Sequence, residues 1–294
     1  MDKLASLPAG SIAVPTVFDV RTLRRTVGAW QARGGTVGLV PTMGALHEGH
    51  LHLVRQAFDR ADRVVVSIFV NPMQFAPSED FSAYPRRLAE DAEKLREEGV
   101  DLIYAPSPAV MYPEGFATRI TVAGVSEGFC GAVRPGHFEG VATVVAKLLL
   151  QSQADIALFG LKDYQQFLVI RTLAEDLNIP CEVLGIPTVR DVDGLALSSR
   201  NAYLSHEERA VAPHLFATLN AMVERLATRR HDAAEVEAWG SARLRAAGFG
   251  RIDYLRFADD RLGPYAPDRE GRLLAAVYLG RARLLDNIAV PPMA

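Results

Sequence analysis

Short apolar runs alternate with amphipathic stretches through the first two thirds of this chain, and that alternation restricts the fold more than any other feature. Residues 36–40, 64–70, 102–105, 156–159 and 181–185 are strand-length and rich in Val, Leu and Ile. Between them the periodicity predicts helices over about 49–60, 86–98, 137–151 and 162–177. A further helix from Val20 to about Ala32 precedes the first strand, capped by Asp19 and ended by Gly34-Gly35. Strands that are apolar on both faces and joined by helical crossovers form a parallel sheet covered on both sides, a Rossmann-like α/β fold. Such sheets bind ligands at the carboxyl ends of their strands. One more strand is expected at 118–122, after Pro-rich turns, and residues 1–15 read as a loose leader.

Beyond Thr188 the order changes. Ser205 with Glu208 is a capping box that opens a helix over about 206–229. A second helix over about 233–247 ends at Gly248, and strands follow at 252–257, 273–279 and 283–285. Helices followed by strands predict a separate, smaller α+β domain. The expected division is 1–188 for the sheet domain and 189–294 for a domain that covers the site.

A formal net charge of −3 over 294 residues provides no global attraction for nucleic acid or anionic membranes. Hydrophobic content of 49% with 23% charged residues is that of an ordinary globular protein. The longest apolar runs are too short to span a bilayer, and the first residues lack a secretory core. Cys130 and Cys181 stand far apart without a Cys-x-x-Cys, so neither a disulfide framework nor a zinc site is expected. These features fit a cytoplasmic protein.

The first strand runs directly into Pro41-Thr42-Met43-Gly44-Ala45-Leu46-His47-Glu48-Gly49-His50 and then into a helix. His47 and His50 are three apart, so both can project from the same face of the first helical turn. That turn carries unpaired N–H groups and the positive end of the helix dipole, which favour phosphate. Gly49 leaves room for a flat ligand. His-Glu-Gly-His has one intervening residue too few for a zinc-protease motif, and His52 points elsewhere.

Later strand ends carry further chemistry. Asn71 and Gln74 are amides in an otherwise apolar loop, suited to a hydroxyl or carboxylate, although Asn71 could equally begin a turn before Pro72. Glu90 and Asp91 could hold magnesium near a triphosphate or lie solvated on a helix. Arg134 and His137 could face an anion or cap a helix. Lys162, at the entry of a helix, can follow charge that grows on a phosphate. Ser198-Ser199-Arg200 offers two hydroxyls and a guanidinium for phosphate oxygens.

His-x-Gly-His after a first strand resembles the signature of the nucleotidylyltransferase superfamily, which includes the class I aminoacyl-tRNA synthetases. The longer Pro-Thr-Met-Gly-Ala-Leu-His-x-Gly-His is narrower and resembles the pantoate–β-alanine ligase (pantothenate synthetase) family. Four further strings resemble that family: the Ser67–Phe75 segment, Arg134-Pro135-Gly136-His137-Phe138, Gly160-Leu161-Lys162-Asp163-Tyr164-Gln165-Gln166, and Asp193-Gly194-Leu195-Ala196-Leu197-Ser198-Ser199-Arg200-Asn201. Only Leu161 departs from the pattern, where Glu is commoner. The dense motifs span about 36–205.

The resemblance implies ATP-dependent condensation of pantoate with β-alanine through a pantoyl adenylate, releasing pyrophosphate and AMP. It marks His50 as catalytic, with His47 and Lys162. ATP contacts are implied for Met43, Gly44, Ala45, Leu46, His47, Glu48, Gly49 and His50, and for Gly160, Leu161, Lys162 and Asp163. Val189, Leu197, Ser198, Ser199 and Arg200 complete them. Pantoate falls to Met43, Gln74 and Gln166, and β-alanine to Gln74. Asp91 is the implied Mg2+ ligand, Tyr84 helps shape the nucleotide site, and a homodimer is implied. Two rivals share parts of this pattern: an adenylyltransferase acting on a phosphate ester, and an inert nucleotide-binding module.

Overall fold

The computed structural model describes residues 14–75, 84–228, 230 and 232–293. Its first unit runs β1 (Thr16–Val17), α1 (Val20–Gln31), β2 (Val37–Thr42), α2 (Glu48–Phe58), β3 (Arg63–Ile68), α3 (Leu88–Glu97) and β4 (Leu102–Tyr104). It continues with α4 (Pro108–Met111), α5 (Phe129–Val133), α6 (His137–Ser152), β5 (Ile156–Gly160), α7 (Tyr164–Asp176) and β6 (Glu182–Ile186). The six strands are all parallel, in the order β1-β4-β3-β2-β5-β6.

The apolar runs of the sequence are explained by burial on both faces of this sheet. Leu39 and Val65 join one core with Leu23 and Val27 of α1 and the inner faces of α6 and α7. Their neighbours Val40, Val64 and Val66 point the other way, into a second core with Leu53 and Val54 of α2 and Leu95 of α3. Alternate residues of one strand thus leave water in opposite directions. Each fully buried Val or Leu contributes roughly 1.5–3 kcal/mol.

From β2 the chain builds outward to β3 and β4, then returns to lay β5 against the free side of β2. The strand order therefore reverses between β2 and β5, and their carboxyl ends diverge into a crevice. Asp155 fixes this junction, its carboxylate accepting the Val37 N–H at 2.7 Å.

The second unit holds α8 (His206–Val211), α9 (His214–Ala227), α10 (Ala233–Ala246), and an antiparallel sheet of β7 (Ile252–Asp259), β8 (Gly271–Leu279) and β9 (Ala282–Val290). Leu219 and Met222 of α9 and Leu244 of α10 pack on Leu273, Ala275 and Val277 of β8.

Three expectations need correction. Residues 118–122 form no strand; the Ile120 N–H instead donates to Thr143 Oγ1 of α6 at 3.0 Å. Thr16–Val17 is an unforeseen edge strand beside β4, while residues 1–13 of the expected leader lie outside the described residues. The helix expected over 206–229 is two helices, because Pro213 has no N–H to continue α8. Its last expected residue, 229, is outside the described residues.

Gly140 permits one close approach on which the cleft depends. A Cβ there would lie 2.3 Å from the Met73 carbonyl oxygen and 2.7 Å from the Gln74 nitrogen, both backbone atoms. The 3-10 turn at Pro72–Gln74 sits directly on α6 at this point. In an open helix, Gly→Ala stabilises by about 0.5–1 kcal/mol. Gly140→Ala is expected to do the opposite and lower the urea midpoint; an unchanged or raised midpoint would show that the turn yields easily.

Candidate active site

The turn after β2 is built around a left-handed backbone. Gly44 has φ +81° and Ala45 φ +51°, the second unfavourable for a residue with a Cβ. What holds this shape is Asp91, a buried residue of α3. Its Oδ2 accepts the Ala45 N–H and its Oδ1 the Leu46 N–H, each at 2.8 Å. One helical turn on, Lys94 Nζ donates to the Leu46 carbonyl at 2.6 Å. Two side chains of α3 thus grip both polarities of the loop backbone, and Lys94 went unread in the sequence.

Asp91 is also the residue that the resemblance implies as a Mg2+ ligand. Both of its oxygens hold backbone amides, and among the described residues no group of three His, Cys, Asp or Glu is arranged to hold a metal. The donors do not fit a protein-built magnesium cage.

The His47/His50 spacing is a capping box written in imidazole. His47 is the N-cap of α2, and its Nδ1 accepts the Gly49 N–H at 3.2 Å. His50 Nδ1 reaches back to accept the His47 N–H at 3.3 Å. The rings lie 4.0 Å apart between centroids. With Nδ1 an acceptor, each neutral ring carries its proton on Nε2, which remains to donate elsewhere. Burial, then the nearby Lys162 and Lys94, lower the His47 pKa to about 4. Burial, then His47 and Lys162, lower His50 to about 3. Glycine is required at position 49 by this arrangement, since a Cβ there would sit 3.0 Å from His47 Cε1.

Facing this turn, β5 ends in the 3-10 turn Leu161–Asp163. Lys162 Nζ lies 3.6 Å from Asp163 Oδ2. Burial pushes the Asp163 carboxyl up, but Lys162, Arg200, His137 and Arg134 outweigh it and hold the group below its ordinary value.

The third wall is the segment after β6. Leu197 N–H donates to the Val189 carbonyl at 3.0 Å, folding 189–197 back on itself. Arg209 ties the outer part through Asp191 and Asp193. Ser198 then caps a 3-10 turn, accepting the Arg200 N–H, and Ser199 lines the cleft with Tyr84. Arg190 is structural: it forms a two-point pair with Asp286 and stacks 3.7 Å over Phe216.

The floor carries the amides. Asn71 is buried and satisfied: its Nδ2 donates to the Gly140 carbonyl and Gln74 Oε1, and its Oδ1 accepts the Tyr112 hydroxyl and the Met73 N–H. Gln74 in turn donates to Met43 Sδ at 2.9 Å. His137 Nδ1 donates to the Gln74 carbonyl at 2.9 Å, which leaves Nε2 to accept from Arg134 at the same distance. Arg134 and His137 thus hold the Gln74 backbone against α6. Gln165 ties the loop before α5, accepting the Cys130 N–H and donating to Glu127 and Val125, whereas Gln166 lines the cleft.

These walls enclose a cleft of about 1510 Å³, counted to its open mouth. Met43, His47, Gly49, His50, Gln74, Gly160, Lys162, Asp163, Gln166, Val189, Leu197, Ser198, Ser199 and Arg200 line it, with Tyr84. The side chains of three expected nucleotide residues lie elsewhere. Glu48 turns outward to pair with Arg55, Leu161 packs toward Gly185 of β6, and Leu46 is buried in the core below. Gly44 and Ala45 are backbone held by Asp91.

A parallel sheet with a cleft at its switch point, walled by a helix start and two cation-bearing loops, defines an α/β enzyme built for an anionic ligand. Comparison with known proteins resolves this further. The model of the pantoate–β-alanine ligase family matches residues 16–289. The pantothenate synthetase of Rhodospirillum rubrum is 57% identical over 283 residues, covering 95% of this chain and 99% of the relative. That of Caulobacter vibrioides is 55% identical over 280 residues, covering 93% and 98%. A crystal structure of the Thermus thermophilus enzyme superposes with a TM-score of 0.87 at 50% identity, covering 95% of this chain and 100% of that one. The Francisella tularensis ligase, solved with β-γ ATP and β-alanine, gives 0.79 at 32% identity, covering 94% and 97%. The chain belongs to the pantoate–β-alanine ligase family and is an enzyme of that activity. The two rival readings fall away.

The depressed histidine pKa values have a signed consequence. Their stabilising contribution is complete above pH 6.5 and is lost as pH falls toward 4 and 3, where the buried rings must charge. Nitrogen-15 NMR of the ligand-free protein is expected to show both rings neutral, protonated on Nε2, and untitrated from pH 8 to 5.5. A ring that titrates near 6.5 would contradict the assignment.

Proposed function

We propose that this chain joins pantoate to β-alanine at the expense of ATP in two steps, using the residues that converge on the cleft. The observation that carries this reading is that His47/His50, Lys162 and Ser198–Arg200 reach one cleft from three strand ends, with Gln74 and Gln166 on its floor. The Nε2–H groups of His47 and His50 donate to phosphate oxygens of ATP. The pantoate carboxylate, oriented by Gln74 and Gln166, attacks the α-phosphorus, and the bond to the β-phosphate oxygen breaks. Lys162 follows the charge that builds on the α-phosphate oxygens, while Ser198, Ser199 and Arg200 receive the departing pyrophosphate. The β-alanine amine, near Gln74, then attacks the activated acyl carbon, and AMP leaves. No protein nucleophile is needed; alignment and charge neutralisation supply the rate.

Mg2+, where ATP brings it, would be held mainly through the triphosphate, with Asp91 as the nearest implied carboxylate and its oxygens shared with the Ala45 and Leu46 amides; it would neutralise phosphate charge. In this reading residues 1–188 form the nucleotide and pantoate domain, and 189–294 the domain that covers it. A homodimer in the cytoplasm completes the proposal. Among the described residues no helix is long and apolar enough to cross a membrane.

Two measurements check these assignments. Gln74→Ala or Gln166→Ala should raise the pantoate requirement about tenfold to a hundredfold, from the loss of roughly 1.5–3 kcal/mol per charged hydrogen bond, with the ATP requirement little changed. Unaltered pantoate kinetics in both variants would remove them from the pantoate site. Pantoate and ATP alone should support exchange of labelled pyrophosphate into ATP, and Lys162→Ala should slow that exchange by about 10²–10³. Exchange that strictly requires β-alanine would contradict the two-step route.

A further inference from the structure

The Lys162 turn is held from outside the parallel sheet. Asp286 and Asn287 lie in the middle of β9, 3% and 4% exposed. Asn287 Nδ2 donates to the carbonyl oxygens of Leu161 and Lys162, both at 2.9 Å. These two peptide groups flank the Cα of Lys162. Asn287 Oδ1 accepts from Arg272 Nη1 at 3.0 Å, and the Arg272 guanidinium lies 4.0 Å over the ring of Tyr164 at the start of α7. The Asn287 amide is therefore fixed at one end and uses both N–H donors at the other.

We infer that Asn287 is a positioning residue for Lys162, a reading that rests on the catalytic role proposed above for that lysine. Residues 161–163 form a single 3-10 turn, which leaves the lysine without the regular hydrogen-bond ladder of a helix to fix its backbone. A flexible four-carbon side chain on a loose turn would spread its ammonium over several positions. Pinning the peptide groups on both sides of the Cα removes the backbone part of that spread. Asp286, the preceding residue, holds Arg190 through both carboxylate oxygens at 2.6 and 2.8 Å. Arg190 directly follows Val189, so the same strand fixes the Lys162 turn and the base of the Ser-Ser-Arg loop. A dipeptide of the small antiparallel sheet sets the spacing between two walls of the cleft.

The test is a double-mutant cycle on pyrophosphate–ATP exchange in the full chain, with pantoate present and β-alanine absent. Asn287→Ala is expected to slow exchange about tenfold to a hundredfold, the cost of a small misplacement of a catalytic group. The same change in the Lys162→Ala background is expected to slow it less than about twofold, because a residue that acts through Lys162 has nothing left to position. Asn287→Asp keeps the volume and the Arg272 partner but turns an acceptor toward the two carbonyls. It should behave like Asn287→Ala, and it serves if the smaller side chain folds poorly. Equal losses in both backgrounds would mark Asn287 as merely structural and overturn the inference while leaving the lysine's role intact. Full exchange in both Asn287 variants would overturn it as well. Undiminished exchange in Lys162→Ala alone would instead overturn the role of the lysine, and the inference with it.

Discussion

Everything at the site depends on β5 pairing with β2 on the side away from β3. Gly38 and Leu39 lie opposite Ile156 and Ala157, and Asp155 closes the register by accepting the Val37 amide. Because parallel strands point the same way, this pairing puts the His47 turn and the Lys162 turn at one end of the sheet. Shifting one strand by one residue would exchange its two buried faces, so the burial of Leu39 on one side and Val40 on the other holds the register. The distance between the two cleft-lining turns is thus fixed by core packing well below them.

Around that crevice, the recurring device is a side chain that holds backbone rather than ligand. Asp91 and Lys94 hold the Gly44–Leu46 turn, Arg134 and His137 hold the Gln74 carbonyl, and Asn287 holds the peptides around Lys162. This leaves the groups that enter the cleft few and well directed. The two histidines belong to both sets, because Nδ1 completes the start of α2 and Nε2–H is released toward the cleft. Their neutrality has a physical logic. A buried pair of imidazolium ions beside Lys162 and Lys94 would be unstable before any phosphate arrived, whereas neutral N–H donors need no counter-charge.

The sequence disclosed the sheet because runs such as Val64-Val65-Val66 can be satisfied only with apolar cover on both faces. It disclosed most of the cleft because Met43, His47, His50, Lys162 and the Ser198–Arg200 string sit at strand ends, where chain order and spatial order coincide. What it did not disclose depends on contacts between distant segments. The hold of Asp91 on the Ala45 and Leu46 amides was not legible, because a carboxylate on a charged helix carries no mark of the amides it will meet in space. Lys94 lay hidden among the other charges of the same helix. Gly140 did carry a signal, a glycine inside an apolar helix, but its partner at Met73 and Gln74 could not be named from the chain. Asp286-Asn287 interrupts the apolar run Leu284 to Val290, which is a sign of paired burial, yet Arg190 and the Lys162 turn are more than ninety residues away in sequence.

The central claim is that the pantoate carboxylate itself displaces pyrophosphate from the α-phosphorus of ATP in the cleft between these turns. It is tested most directly by running the complete reaction with pantoate labelled in its carboxylate with oxygen-18 and weighing the products by mass spectrometry. Attack by that carboxylate, followed by cleavage of the acyl–oxygen bond by the β-alanine amine, leaves a labelled oxygen in AMP for each pantothenate formed. Label found in pyrophosphate or phosphate, with unlabelled AMP, would mean activation at another phosphorus and would contradict the account.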